Sequence, residues 1–414
     1  MLAVYIFSFQ YLPLQDFPQW IYHGHVFNQI VFHSNDFGGY FSLHHYIPPN
    51  ACATVLIGLF EMATTPLIAG KLFLFISLIL VYSGSWLVLT SLTGTKHILF
   101  AFIALGSCFN LFFYGGFINF LFGLGIALLG ISYVLTHRST GNPYLLSLIF
   151  LLCYLSHFAS LLIVLVPVLA VIIYEREMKF AGRILLAMIP VIVLFLHYYL
   201  TKEITTFSPG DPAQSNYLQT LWGSVSHAPA AMMPIHRIKH VLELPVVENI
   251  VNYGFAFAAI LAVAFFVISV IVKRRWSLLS IIGFLTTITV IFSPAYLGGL
   301  FSLGQRFVFL LWLVMVAYFF LRYPSPKIHM VETIIASIVA IGSFSILWYG
   351  TAIFNDMDIP SHTREASTPD PRGGSNPFEH FHFYDDIEQN RGVPVFHSAL
   401  LDYKGAQNSK PFDQ

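Results

Sequence analysis

The sequence predicts an all-α polytopic membrane protein with about eleven spanning helices. Three observations carry that reading. Of 414 residues, 57% are hydrophobic and only 10% are charged, against about 25% charged in a soluble domain. The mean hydropathy is +0.72. The apolar residues fall in long runs rather than in amphipathic periods. The formal net charge is zero, so the chain offers nothing to a polyanion and no nucleic-acid partner is expected. The three cysteines, Cys52, Cys108 and Cys153, lie in or beside apolar runs. They form neither a disulfide framework nor a zinc spacing.

The first run, residues 1–13, is shorter than the ~20 residues that cross a bilayer. No Lys or Arg precedes it and no small-residue cleavage site follows, which argues against a signal peptide. An N-terminally shortened first helix is expected. Residues 14–66 then form a long loop. Phe17, Trp20, Ile21, Phe27 and Val31 fall near one helical face, so an interfacial helix is expected there. A second short helix is expected over 51–62, introduced by Pro48-Pro49-Asn50.

Further spans are expected over 67–91, 97–113, 116–136, 142–157, 158–174, 181–200, 250–272, 276–293, 304–321 and 328–349. The stretch 142–174 is too long for one helix, and Ser156-His157 marks a tight hairpin in its middle. A second long loop covers 201–249. Residues 350–414 form a polar tail, too short to bury much of a core alone. With the N-terminus in the cytoplasm, ten Lys and Arg residues fall on inner connections and five on outer segments before the tail. That bias is the one the positive-inside rule demands. It places loops 14–66 and 201–249, and the tail, on the outer face.

Candidate chemistry comes from the few polar residues. Asp16-Phe17-Pro18-Gln19 is a good helix start, with Asp as cap, Pro in the first turn and Gln in the capping-box position. The same carboxylate, at an outer surface poor in acids, is also placed to act as a general base. His23, His25, His33, His44 and His45 crowd the first loop. Positions 23 and 25 do not face each other on a helix, and no HExxH pattern occurs. Interfacial histidines are expected, with metal binding as the minor alternative. His157 reads either as a turn residue bonded to backbone or as a contact to phosphate or sugar. Arg306 begins a span and reads either as a snorkelling anchor or as a phosphate-binding arginine. Arg237 and Lys239, flanked by His236 and His240, suit phosphate or lipid headgroups equally. Gly115-Gly116, Asn119, Gly123 and Gly125 read as close helix packing, with a substrate groove as the weaker alternative. In the tail, FEHFHFYDD (378–386) has the alternation of an exposed strand, and His380, His382 and Asp385 form a weak three-ligand pattern.

Together these features resemble the GT-C glycosyltransferases, polytopic membrane enzymes that use lipid-phosphate-linked sugars. The points of likeness are an acid just after the first span (Asp16), interfacial helices in the first outer loop, a second long outer loop and an outer C-terminal piece. A nearer likeness is to uncharacterised bacterial integral membrane proteins of that architecture. They share an LPLxDFP-like start, Pro49-Asn50, a GGFxNFxxG segment from Gly115 to Gly123, and a Gly-x-Arg from Gly304 to Arg306. The likeness covers most of 1–349.

The resemblance implies a GT-C-like fold in the bacterial cytoplasmic membrane and an inverting transfer from a polyprenyl-phosphate-linked sugar. It implies Asp16 as base and Arg306, Arg237, Lys239 and His157 as the phosphate-binding set. It also implies His23, Asp36, Asn50 and Asn119 as groove candidates. No cofactor is expected, with a divalent metal left open, and the acceptor is not specified. Asp16 lacks the adjacent second acid that many such enzymes carry. Two other classes compete: a transporter or lipid flippase, and a non-catalytic membrane scaffold. Coupled transport is disfavoured because the spans hold almost no ionisable residues.

Overall fold

The computed structural model describes residues 2–10, 12, 14, 16–33, 41–43, 46–201, 277–292, 296–297, 300–301, 303–323, 325–356 and 401–403. They are mostly helical: α1 (Leu2–Ser8), α2 (Phe17–Phe32), α3 (Ala51–Glu61), α4 (Pro66–Thr93), α5 (Ile98–Ser107), α6 (Leu111–Tyr114), α7 (Ile118–His137), α8 (Pro143–Ser156), α9 (Phe158–Glu175), α10 (Met178–Thr201), α11 (Leu278–Phe292), α12 (Leu303–Arg322) and α13 (Pro326–Asp356). Two short antiparallel strand pairs join them. β1 (Phe41–Leu43) pairs with β4 (Leu401–Tyr403), and β2 (Tyr296–Leu297) pairs with β3 (Leu300–Phe301).

Among the described residues, five helices are long and apolar enough to cross a membrane: Pro66–Thr93, Ile118–His137, Phe158–Glu175, Met178–Thr201 and Pro326–Tyr349. Residues 51–61, 98–107, 143–156 and 278–290 are apolar helices of 10–17 residues. Length and composition thus make the chain a multi-pass membrane protein. The expected span 250–272 and nearly all of loop 201–249 lie outside the described residues.

Local chemistry explains the helix ends. Thr65 caps α4 by accepting from Ile68 N, Pro66 opens the helix, and Gly94 closes it in the left-handed conformation at φ 71°. Asn142 and Pro143 do the same for the start of α8. The hairpin expected in 142–174 is present. His157 is extended, ends α8 and begins α9, and its Nδ1 accepts from Ala159 N at 3.1 Å.

One expected span needs correction. The run 97–113 is not one span, because α5 stops at Ser107. Asn110 Nδ2 donates to Ser107 O, and its Oδ1 accepts from Phe112 N and Phe113 N. An amide that serves three backbone groups at once replaces helical bonds with a turn. The last helix contains the expected span 328–349 and runs on to Asp356, so the first residues of the expected tail extend the helix. The residues α2 buries within the protein are Phe17, His23, Gly24, Val26 and Asn28, and Val31 of the expected interfacial face is 41% exposed. The reason is that α3 crosses at Gly24: a Cβ there would lie 2.5 Å from Ile57 Cγ2, and one on Gly58 would lie 2.8 Å from Gly24 O. Close backbone approach favours small residues at the seam. The seam is tied by Asn28 Nδ2 donating to Gly58 O at 2.8 Å and by a His25 Nδ1–Glu61 Oε1 pair at 2.5 Å.

The packing centre is α4 against α7. A Cβ on Gly84 would meet Leu128 at 2.6 Å, and one on Gly125 would meet Leu80 at 2.4 Å. Phe73 and Phe122 stack at 5.1 Å. Ser91 bonds Ser132 at 2.8 Å across the pair, an interhelical bond worth about 0.6 kcal/mol in a membrane.

Contacts sort the helix ends into two groups. At one end, Asp16 N donates to Gly115 O, Lys71 Nζ donates to Phe9 O, and Phe120 lies between His157 and Arg306. At the other end, Arg138 pairs with Glu175 at 2.7 Å, and His97 meets Phe320 and His329. The β1–β4 pair brings residues 401–403 of the tail onto the first loop.

Candidate functional site

The site is built on the turn between α5 and α7. After the Asn110 turn, Gly116 N donates to Phe113 O and Phe117 N donates to Phe112 O, both at 2.9 Å. Gly116 has φ +72°, and a Cβ on it would lie 2.5 Å from Asp16 N and 2.7 Å from Phe17 N. This pair of glycines therefore admits a close backbone approach, and the backbone it admits is that of Asp16. The contact is completed by Asp16 N donating to Gly115 O at 3.1 Å.

Asp16 stands at the N-cap position of α2 with Pro18 in the first turn, as expected. Its side chain, however, makes no capping hydrogen bond, and its backbone angles are φ −92° and ψ 0°. The capping role that explained the residue type is not the one its carboxylate plays. The aspartate is half-buried.

Arg306 lies in the first turn of α12 and is 4% exposed. Its guanidinium carbon is 4.5 Å from the Phe120 ring centroid, 5.2 Å from Phe112 and 5.5 Å from Phe117. Such stacking suits a guanidinium because its faces are weakly hydrated. The snorkelling reading is thereby corrected: the side chain turns into the bundle. His157 is edge-on to the same Phe120 ring at 5.3 Å. Its backbone-bonded turn role is observed, and its ring stands beside Arg306 across one phenyl ring. Asn119 is buried, with Oδ1 accepting from Phe120 N at 2.8 Å.

Thus residues 110–120 bring Asp16, Asn119, His157 and Arg306 together. The other candidates lie elsewhere. His23 is buried on α2, edge-on to Trp20 at 5.9 Å, and its Nδ1 has no hydrogen-bond partner. Burial holds this interfacial imidazole down at about 4, so it is neutral at pH 7. Asn50 adopts the left-handed conformation at φ 77° before α3 without a side-chain cap. Asp36, His44, His45, Arg237, Lys239, His380, His382 and Asp385 lie outside the described residues. Among the described residues, no three His, Cys, Asp or Glu side chains are grouped to hold a metal ion.

Two features escaped the sequence reading. One is the wall of Phe112, Phe117 and Phe120, whose only signal was the aromatic density of LFFYGGFINFLF. The other is an apolar groove of about 250 Å³, lined by Leu162, Leu165, Val166, Leu169, Thr289 and Phe307. Its α9 residues, Leu162 to Leu169, span two turns, about 10 Å.

The chain matches no protein-family model, no curated protein and no solved structure.

Proposed function

We propose that the protein is a membrane glycosyltransferase that moves a sugar from a polyprenyl-phosphate donor to an acceptor hydroxyl at the Asp16 end of the bundle. The observation that carries this reading is the convergence of Asp16 and Arg306 on one turn. The backbone of Asp16 packs on Gly115-Gly116, and the buried Arg306 guanidinium packs on Phe112, Phe117 and Phe120 of the same segment. The apolar groove lined by α9, Thr289 and Phe307 offers a place for the donor's hydrocarbon.

The chemistry assigned to this chain is a single displacement. Asp16 takes the proton of the acceptor hydroxyl as its oxygen bonds to the anomeric carbon. The bond from that carbon to the donor phosphate oxygen breaks with inversion, and the phosphate leaves on its lipid. Arg306 stabilises the charge gathering on that phosphate, and His157 stands across the Phe120 ring from it. Phosphate contact requires the wall of three phenyl rings to part, so donor binding reorganises the turn under Asp16. The reading places the protein in the bacterial cytoplasmic membrane with the Asp16 end outside.

The test is transfer from a labelled polyprenyl-phosphate sugar by the purified, reconstituted chain. Asp16→Asn is expected to lower transfer by about 100-fold or more with donor binding retained. Arg306→Gln is expected to weaken donor binding as well. Transfer by a folded Asp16→Asn protein at the wild-type rate would remove the mechanism.

A further inference from the structure

At the end opposite Asp16, α5 is capped in an unusual way. Its N-cap is His97, extended at φ −126° and ψ 140°, and its imidazole Nδ1 accepts from Leu99 N at 3.2 Å. An imidazole nitrogen accepts only while it carries no proton. Serine, threonine and aspartate caps have no such condition near neutral pH.

His97 is not alone. Its ring lies 5.6 Å from that of His329 on α13, and both rings pack on Phe320 of α12, at 5.2 Å and 4.1 Å. His329 is buried, and its Nδ1 is 3.1 Å from Glu332 Oε2. Three helices therefore meet through two imidazoles and one phenyl ring.

The charges around this joint are unbalanced. Lys96 precedes His97, Arg322 ends α12, and Lys327 and Glu332 stand on the first turns of α13. α5 carries no charged residue. Lys71 of α4, Arg306 of α12 and Asp356 of α13 lie at the other end of their helices. Among the described residues of these helix ends, three exposed cations accompany one carboxylate, and that carboxylate is engaged by His329.

We propose that the His97–His329 pair is a proton-operated fastener that holds α13 to the start of α5 near neutral pH and releases it on acidification. A proton on His329 is met by Glu332. A proton on His97 is met by no paired carboxylate among the described residues. It turns the capping acceptor into a donor, places a cation at a helix N-terminus against the backbone dipole, and sets two imidazolium rings in contact. The result is loss of the Leu99 bond and separation of the rings over Phe320. The joint stands one ten-residue helix away from the turn under Asp16.

The experiment is hydrogen exchange of the detergent-solubilised full chain at about pH 7.5 and about pH 5, across the ordinary imidazole range. Rates are normalised to the intrinsic rate at each pH. Peptides covering 98–104 and 326–332 are expected to exchange about fivefold faster at the lower pH, the factor a lost cap implies. His97→Asn keeps a capping side chain without a titrating one, and its normalised exchange is expected to be the same at both values. Should that variant not accumulate, His97→Ser carries the same expectation. His329→Phe keeps the stacking and removes the second cation, and its response is expected to shrink. Equal normalised exchange of the wild type at both pH values would overturn the proposal. So would a wild-type response in His97→Asn or His97→Ser, or an undiminished response in His329→Phe.

Discussion

Replacing Gly116 by alanine tests the contact that places Asp16. A Cβ there would lie 2.5 Å from Asp16 N, 2.7 Å from Phe17 N and 3.1 Å from Asp16 C. All three neighbours are backbone atoms, so no flexible side chain can swing aside. Reaching ordinary contact at 3.4 Å demands a recoil of about 0.9 Å by one of the two chains. That recoil stretches the Asp16 N–Gly115 O bond from 3.1 Å to a length that no longer counts as a hydrogen bond. Losing it costs about 1 kcal/mol. Holding alanine at φ +72° costs a further 1–2 kcal/mol or so. Unfolding titrations in mixed micelles should therefore show Gly116→Ala destabilised by about 2–3 kcal/mol. Sugar transfer should fall further than the folded fraction does, because the base itself is displaced. Gly106→Ala is the control. Nothing lies within 4 Å of its Cβ, so a change within about 0.5 kcal/mol is expected. A Gly116→Ala protein as stable and active as wild type would refute the close approach and the site built on it.

Two further outcomes are expected from the buried and exposed groups. His23 titrates at about 4 in the folded chain and at about 6.5 unfolded, so the unfolded state binds the proton more readily between those values. Stability is fully present above about 6.5 and is lost as pH falls toward 4, by an amount on the order of 3 kcal/mol. His23→Phe should flatten that part of the stability–pH curve, and an unchanged slope would remove His23 as its source. Ala63 and Thr95 are exposed at opposite ends of α4. In intact cells, a membrane-impermeant thiol reagent should label Ala63→Cys and spare Thr95→Cys. Labelling of Thr95→Cys alone would invert the orientation.

Asp16 and Arg306 show how far the sequence could be read. Both were visible as candidates because charge is scarce and costly in an apolar chain. Their convergence was not visible, since 290 positions separate them and no spacing rule spans that distance. Asp16 also shows a local rule overridden. Its surroundings match a capping box, yet the Gly115-Gly116 turn holds its backbone and the side chain does not cap. Gly116 itself was read as helix packing, with a substrate groove as the alternative. What it packs against is the Asp16 backbone of the first loop. The Asn110 turn was missed because an apolar run gives no periodic signal of a break, and one amide among the thirteen apolar residues of 97–113 is easily averaged away.

Amino-acid order alone settles the features governed by solvent transfer and local geometry. Long apolar runs with few charges set a multi-pass helical chain. Pro66, Pro143 and the Ser156-His157 pair placed helix boundaries, because proline and capping groups act within one turn. Packing in three dimensions was needed to settle which helix ends meet, which face of α2 is buried, and that Arg306 turns inward under three phenyl rings. In a bilayer the apolar faces of a helix are nearly equivalent to lipid. Hydrophobicity therefore cannot choose a partner face, and the choice falls to glycine contacts and scattered polar bonds that only the packed structure brings together.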